Sequence, residues 1–105
     1  MITISAASIG DKDISYLSSV GIAGASAFTH LHGGGGYVSV SGSFYYIDDT
    51  NNKIMPPIGA ATADSMAAVI SMSLPSGNYR SYKIDSYHTA KYANESWSAT
   101  RTAYY

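Results

Sequence analysis

The sequence predicts a small all-β domain, a β-sandwich or jelly-roll-like fold with at most one short helix. Three observations carry that expectation. Val38, Val40, Gly42, Phe44 and Tyr46 alternate with Tyr37, Ser39, Ser41, Ser43 and Tyr45, a period of two that gives a strand one buried face. Turn-forming clusters recur at short intervals, at Gly10–Asp13, Asp48–Lys53 and Pro75–Asn78. The chain has 105 residues, enough for one domain over 1–105 and one core of modest margin.

Each element follows from local pattern. Ile2 to Ile9 reads as a short strand with Ile2 and Ile4 on one face, closed by the turn Gly10–Asp13. Asp13 is placed to cap the one short helix, with Ile14, Leu17 and Ser18 inward and Gly21 ending it. Ile22 to Phe28 is small and apolar and fits either type. Four glycines, Gly33 to Gly36, break the chain before the strand Tyr37–Ile47. Gly42 inside that strand suggests a bulge or bend. Asp48–Lys53 then turns into a short return strand, Ile54–Met55, which Pro56-Pro57 stops.

Between Ala60 and Leu74, Met66, Val69, Ile70 and Leu74 fit a helical stripe after Asp64. Ala68, Ile70, Met72 and Leu74 equally fit one face of a strand, and Ser71 and Ser73 opposite them favour a strand over Ala67–Leu74. Pro75-Ser76-Gly77-Asn78 reads as a hairpin turn. The partner strand is Tyr79–His88, with Arg80, Tyr82 and Ile84 on one face. Ala90 to Tyr105 supplies one or two further strands.

Composition narrows the function classes. Charged residues make up 12% of the chain, against about a quarter in an ordinary soluble domain, and none lies between Ile14 and Ile47. The formal net charge is −1, which gives no basic face for nucleic acid and no cationic helix for a membrane surface. No stretch approaches the roughly 18 apolar residues of a membrane helix. The absence of cysteine removes disulfides, thiolate metal sites and thiol nucleophiles together. The opening Met1–Ser8 has neither the basic nor the apolar region of a secretory signal, so synthesis in a host cytoplasm is expected. Ten Tyr, many Ser and few charges instead suit an outward or assembly surface.

Several motifs are candidates for chemistry. His32-Gly33-Gly34-Gly35-Gly36 resembles the His-Gly-Gly-Gly segment of lipases and esterases, whose backbone N–H groups help form an oxyanion hole. No Gly-x-Ser-x-Gly elbow follows it, and no carboxylate pair or ordered Ser/His/Asp set occurs, so no enzyme and no cofactor are expected. His30-x-His32 would project two imidazoles to one side of a strand. Two ligands fall short of a zinc site, but a trimer would multiply them, an arrangement similar to the His-x-His sites of phage tail fibres and spikes. Asp48-Asp49 with Asn51 and Asn52 is read as a solvated turn rather than a calcium loop. Asn94-Glu95-Ser96 matches the glycosylation sequon by chance. Tyr79, Tyr82, Tyr87, Tyr92 and Trp97 are the candidate binding residues, as anchors of an interface or as platforms for sugar rings.

A cytosolic product with an outward-facing composition suits a virion. The expected function is therefore structural: a capsid decoration, head-fibre or tail component of a bacteriophage, located in the virion. Such a chain would assemble as a homo-oligomer, with a trimer favoured, beside other virion proteins. The glycine run would bring backbones together in the assembly. The alternative is a glycan- or host-surface-binding β-domain that uses the Tyr/Trp cluster.

Overall fold

Alternation of small apolar residues with Ser, Thr and Tyr runs through almost the whole chain, and the described residues fold into nine strands. The computed structural model describes residues 4–105. In chain order the strands are β1 (Ser5–Ile9), β2 (Lys12–Gly21), β3 (Gly24–Leu31), β4 (Tyr37–Asp48), β5 (Lys53–Ile54), β6 (Ile58–Asp64), β7 (Ala67–Ser73), β8 (Tyr79–Tyr92) and β9 (Glu95–Tyr104). No helix occurs among the described residues.

Two antiparallel sheets stack into a sandwich. Sheet A has the order β1-β2-β3-β7, and sheet B the order β5-β4-β8-β9. β6 also pairs with β4, over Val38–Phe44, while β8 pairs along all of β4. A strand has two edges, so β5 and β6 share the edge that β8 leaves free. The molecule measures 50 × 24 × 16 Å, as two long sheets stacked about 10 Å apart require. The core lies between them. Ile14, Ala25, Ala27, Leu31, Ala68, Ile70 and Met72 face inward from sheet A, and Val38, Val40, Phe44, Ile84 and Ala90 from sheet B.

The predicted fold class is the observed one, and five local expectations are corrected. The Asp13 helix is β2 instead: Ile14, Tyr16, Ser18 and Val20 point into the sandwich, and Leu17 points out. Pairing on both sides, with β1 and β3, overrides any helical start signal. The turn after β1 is only Gly10-Asp11, since Lys12 already pairs with Ile9. Pro75–Asn78 is a crossover from sheet A to sheet B, not a hairpin turn. Gly42 is in regular register, and the irregularity falls between Tyr45 and Tyr46, where Tyr82 is the extra residue of β8. That bulge turns Ser81 inward, so Arg80, Tyr82 and Ile84 do not share a face. Of the early pair, Ile4 is exposed on the outer side of sheet A, and Ile2 lies outside the described residues.

Ala67–Ser73 is a strand, with Ala68, Ile70 and Met72 buried as the alternation indicated. The tail forms the end of β8 and all of β9, joined by the two-residue turn Ala93-Asn94. Both turn residues are left-handed, with φ of 53° and 64°. Asn tolerates that region, and Ala does so only at a cost of about 1 kcal/mol. Ala93→Gly is therefore expected to raise the thermal midpoint by roughly 4 °C, read by scanning calorimetry.

Candidate functional site

The two outer faces of the sandwich differ in chemistry. On sheet A, Leu17, Phe28 and Val69 stand opposite one another across β2, β3 and β7. Ile4, one step beyond the Ser5–Tyr16 pair, extends the row over β1. Ile4 and Val69 are 57% and 62% exposed. The adjacent rows are Ser19–Ser26–Ser71 and Ser15–His30–Ala67, so none of these three rows carries a charge. A depression of about 470 Å³ runs beside the apolar row, over Ser19, Ser26 and Ser71, where short side chains leave space. The charge-free stretch of sequence thus supplies the middle of both sheets and most of this face.

The outer face of sheet B is polar. Its rows are Ser39–Thr89–Ser98, Ser41–Tyr87–Thr100 and Ser43–Asp85–Thr102. The Thr102 hydroxyl donates to Asp85 Oδ1 at 2.7 Å, and Lys83 Nζ lies 3.4 Å from Asp85 Oδ2. Tyr37 and Tyr87 are each 47% exposed there.

The five aromatic residues expected to form one cluster do not share a surface. Tyr79 packs edge-on against Tyr46 at 5.1 Å, at one end of the sandwich. Tyr82 packs against Tyr104 at 5.9 Å, beside the bulge. Tyr92 covers the opposite end of the core, with Lys12 Nζ 5.3 Å from its ring. Trp97 is turned inward against Tyr16 at 4.9 Å. Tyr87 alone stands at the centre of an open face. Strand parity and the bulge separate what spacing in sequence suggested was a group.

His30 and His32 do project together, with rings 4.3 Å apart at the end of β3, and His32 Nε2 lies 2.7 Å from the Ser15 hydroxyl. No group of three metal-ligating side chains occurs among the described residues. The turn Asp48–Lys53 uses its oxygens internally. Asp48 Oδ1 accepts the Thr50 N–H at 2.8 Å, Asn51 Oδ1 accepts the Lys53 N–H at 3.1 Å, Arg80 pairs with Asp49, and Asn52 Oδ1 accepts Arg80 Nη2 at 3.0 Å.

The glycine run is an intramolecular corner. It carries the chain from sheet A to sheet B, and Gly33, Gly34 and Gly35 have φ of 89°, 63° and 84°. A Cβ on Gly34 would meet Met66 Cε at 2.9 Å, and one on Gly36 would meet the Lys91 carbonyl oxygen at 2.5 Å. Glycine is needed for the positive φ at Gly33, Gly34 and Gly35 and for the close backbone approach at Gly36, both within one chain.

The polar centre that sequence reading missed is His88, which is fully buried. Thr29 donates its single hydroxyl proton to the Ser39 carbonyl at 2.9 Å. Its oxygen must then accept from His88 Nδ1–H, also at 2.9 Å. That leaves Nε2 as an acceptor for the Ser86 hydroxyl at 2.8 Å. The ring is thus held neutral in one tautomer. Burial lowers its pKa from 6.5 to about 4, helped by the charge of Arg101 and opposed by the Phe28 carbonyl. The signal was present in the sequence: period two from Ile84 places Ser86, His88 and Ala90 on the same inward face.

No known protein family, curated protein or solved structure matches this chain.

Proposed function

We propose that the protein is a non-enzymatic structural subunit of a virion, a decoration, head-fibre or tail component of bacteriophage type, that works by self-assembly. The observation that carries the reading is the uncharged centre of the outer face of sheet A, with its Ile4–Leu17–Phe28–Val69 row beside a serine-lined depression. Two properties favour a second copy as its cover. The three central rows of the face offer no formal charge for a charged partner to meet, Asp13 lying beyond them at one end, and its ridge and depression lie side by side. Two copies related by a dyad can each set the ridge of one into the depression of the other, as in sheet-on-sheet packing. Left bare, such a face invites aggregation. Low charge, absence of cysteine and richness in Ser and Tyr fit a chain that spends its working life inside a particle.

A two-fold pair is thus the proposed building unit, in place of the trimer that the sequence favoured. Native mass spectrometry and light scattering test it. The wild-type chain is expected to be an even-numbered oligomer, and Val69→Asp a monomer. Val69 is 62% exposed, so the variant monomer should keep its β-sheet circular dichroism. A wild-type monomer at high protein concentration refutes assembly, and a trimer unaffected by Val69→Asp refutes this surface.

A further inference from the structure

The geometry points to a carbohydrate-binding groove on the outer face of sheet B, between Tyr37 and Tyr87, with a preference for sugars that carry a carboxylate. A groove of about 400 Å³ lies there, within the size range of small-ligand sites. Its floor is the row Ser39–Thr89–Ser98. Tyr37 is opposite Lys91, four residues along β8 from Tyr87, so the two tyrosines stand roughly 14 Å apart along the strand direction. That span suits linked sugar rings better than a single small ion.

Three features select the ligand class. The first is the pair of half-exposed tyrosine rings, whose flat faces match the C–H faces of a pyranose while their hydroxyls stay in water. The second is the floor. Ser39 and Thr89 hydrogen-bond to each other, which uses one hydroxyl proton of the two and leaves the pair able both to donate and to accept. Sugar hydroxyls are also both donors and acceptors, whereas a site for phosphate alone would be built from donors. The third is Lys91, an exposed side chain with no acidic partner among the described residues. It gives a carboxylate-bearing sugar an advantage over its neutral counterpart. On the other side of Tyr87 a second groove, of about 370 Å³, continues over Ser41, Asp85 and Thr100. A chain of sugars can therefore run past the Tyr87 ring on both sides.

This site lies on the opposite face from the proposed assembly surface, and its existence does not depend on that surface. The test is a glycan array of neutral, uronic-acid and sialic-acid oligosaccharides, probed with the labelled full-length chain. Binding to acidic members is expected. Tyr87→Ser should lower the signal about tenfold, and Tyr37→Ser combined with it should abolish it. Lys91→Gln should erase the preference for acidic over neutral sugars while leaving the neutral signal in place. All three positions are on an open face, so thermal midpoint and oligomeric state should not move; a variant that moves them is replaced by Tyr87→Phe, which keeps the stacking face and should keep binding. No binding to any arrayed sugar overturns the proposal. Binding that survives Tyr37→Ser with Tyr87→Ser overturns the location, and binding indifferent to sugar charge overturns the role of Lys91.

Discussion

One methyl group added at Gly36 is expected to cost about 3 kcal/mol of stability, and the same group added at Gly35 only about 1. The contrast comes from what each Cβ would meet. At Gly36 it would stand 2.5 Å from the Lys91 carbonyl oxygen, 2.9 Å from Leu31 Cδ2 and 3.4 Å from Tyr92 Cβ. The carbonyl belongs to β8 and cannot give way without disturbing the ladder, and Leu31 is fully buried. At Gly35 the space is open, and only the positive φ of 84° penalises a side chain. In a domain of this size the difference in thermal midpoint between Gly36→Ala and Gly35→Ala should be roughly 8–16 °C. A flexible hinge would behave otherwise. Both alanines would then reduce the entropy of the unfolded chain and be neutral or stabilising by about 0.4–1 kcal/mol. Calorimetry on the two variants, each compared with wild type, separates a rigid corner from a hinge.

Acidification is the second large effect. The His88 pKa lies at about 4 in the fold and near 6.5 in the unfolded chain. Between those values the unfolded chain binds a proton that the folded chain refuses. Stability therefore falls as pH drops from 6.5 to 4, by as much as roughly 3 kcal/mol, and is unaffected by this group above neutrality. The Asp64 carboxyl is held below its usual 3.8 by the Ala67 and Met66 N–H groups, so its titration lies beneath this window. Denaturant midpoints measured at pH 7.5 and 4.5 should show the loss in the wild-type chain. His88→Gln should be less stable at pH 7.5 but much flatter between the two. A wild-type profile as flat as that of the variant would mean that His88 is already charged in the fold, against the tautomer fixed by Thr29 and Ser86.

Much of the fold was legible where one face of a strand is buried and the other is wet. β4 and β7 are the clearest cases. Val38, Val40 and Phe44, and likewise Ala68, Ile70 and Met72, are buried while their neighbours are not, and period two records that difference directly. β2 was misread because Asp13, Ile14 and Leu17 have helical spacing, and only pairing on both sides cancels that signal. Leu17 looked like a core residue and is instead part of the outer row with Phe28 and Val69.

The sequence alone determined the chemistry of the surfaces. A 34-residue run without charge must yield uncharged strands wherever they are placed, and a chain rich in Ser and Tyr with 12% charged residues must present a hydroxyl- and aromatic-rich exterior. Tertiary structure decided which of those residues meet. The extra residue at Tyr82 reverses the parity of β8 before it and turns Tyr79 away from the face of Tyr87, while odd spacing along β8 and inward pairing with Ala90 take Tyr92 and Trp97 off that face. Strand order brings Leu17, Phe28 and Val69 into one row from three separate parts of the chain. The glycines of the His30–Gly36 segment turn the corner between the sheets, and the histidine that the fold encloses is His88. Composition and period are carried by neighbours in sequence, but register and sheet order depend on residues tens of positions apart, and those distant pairings set the sites.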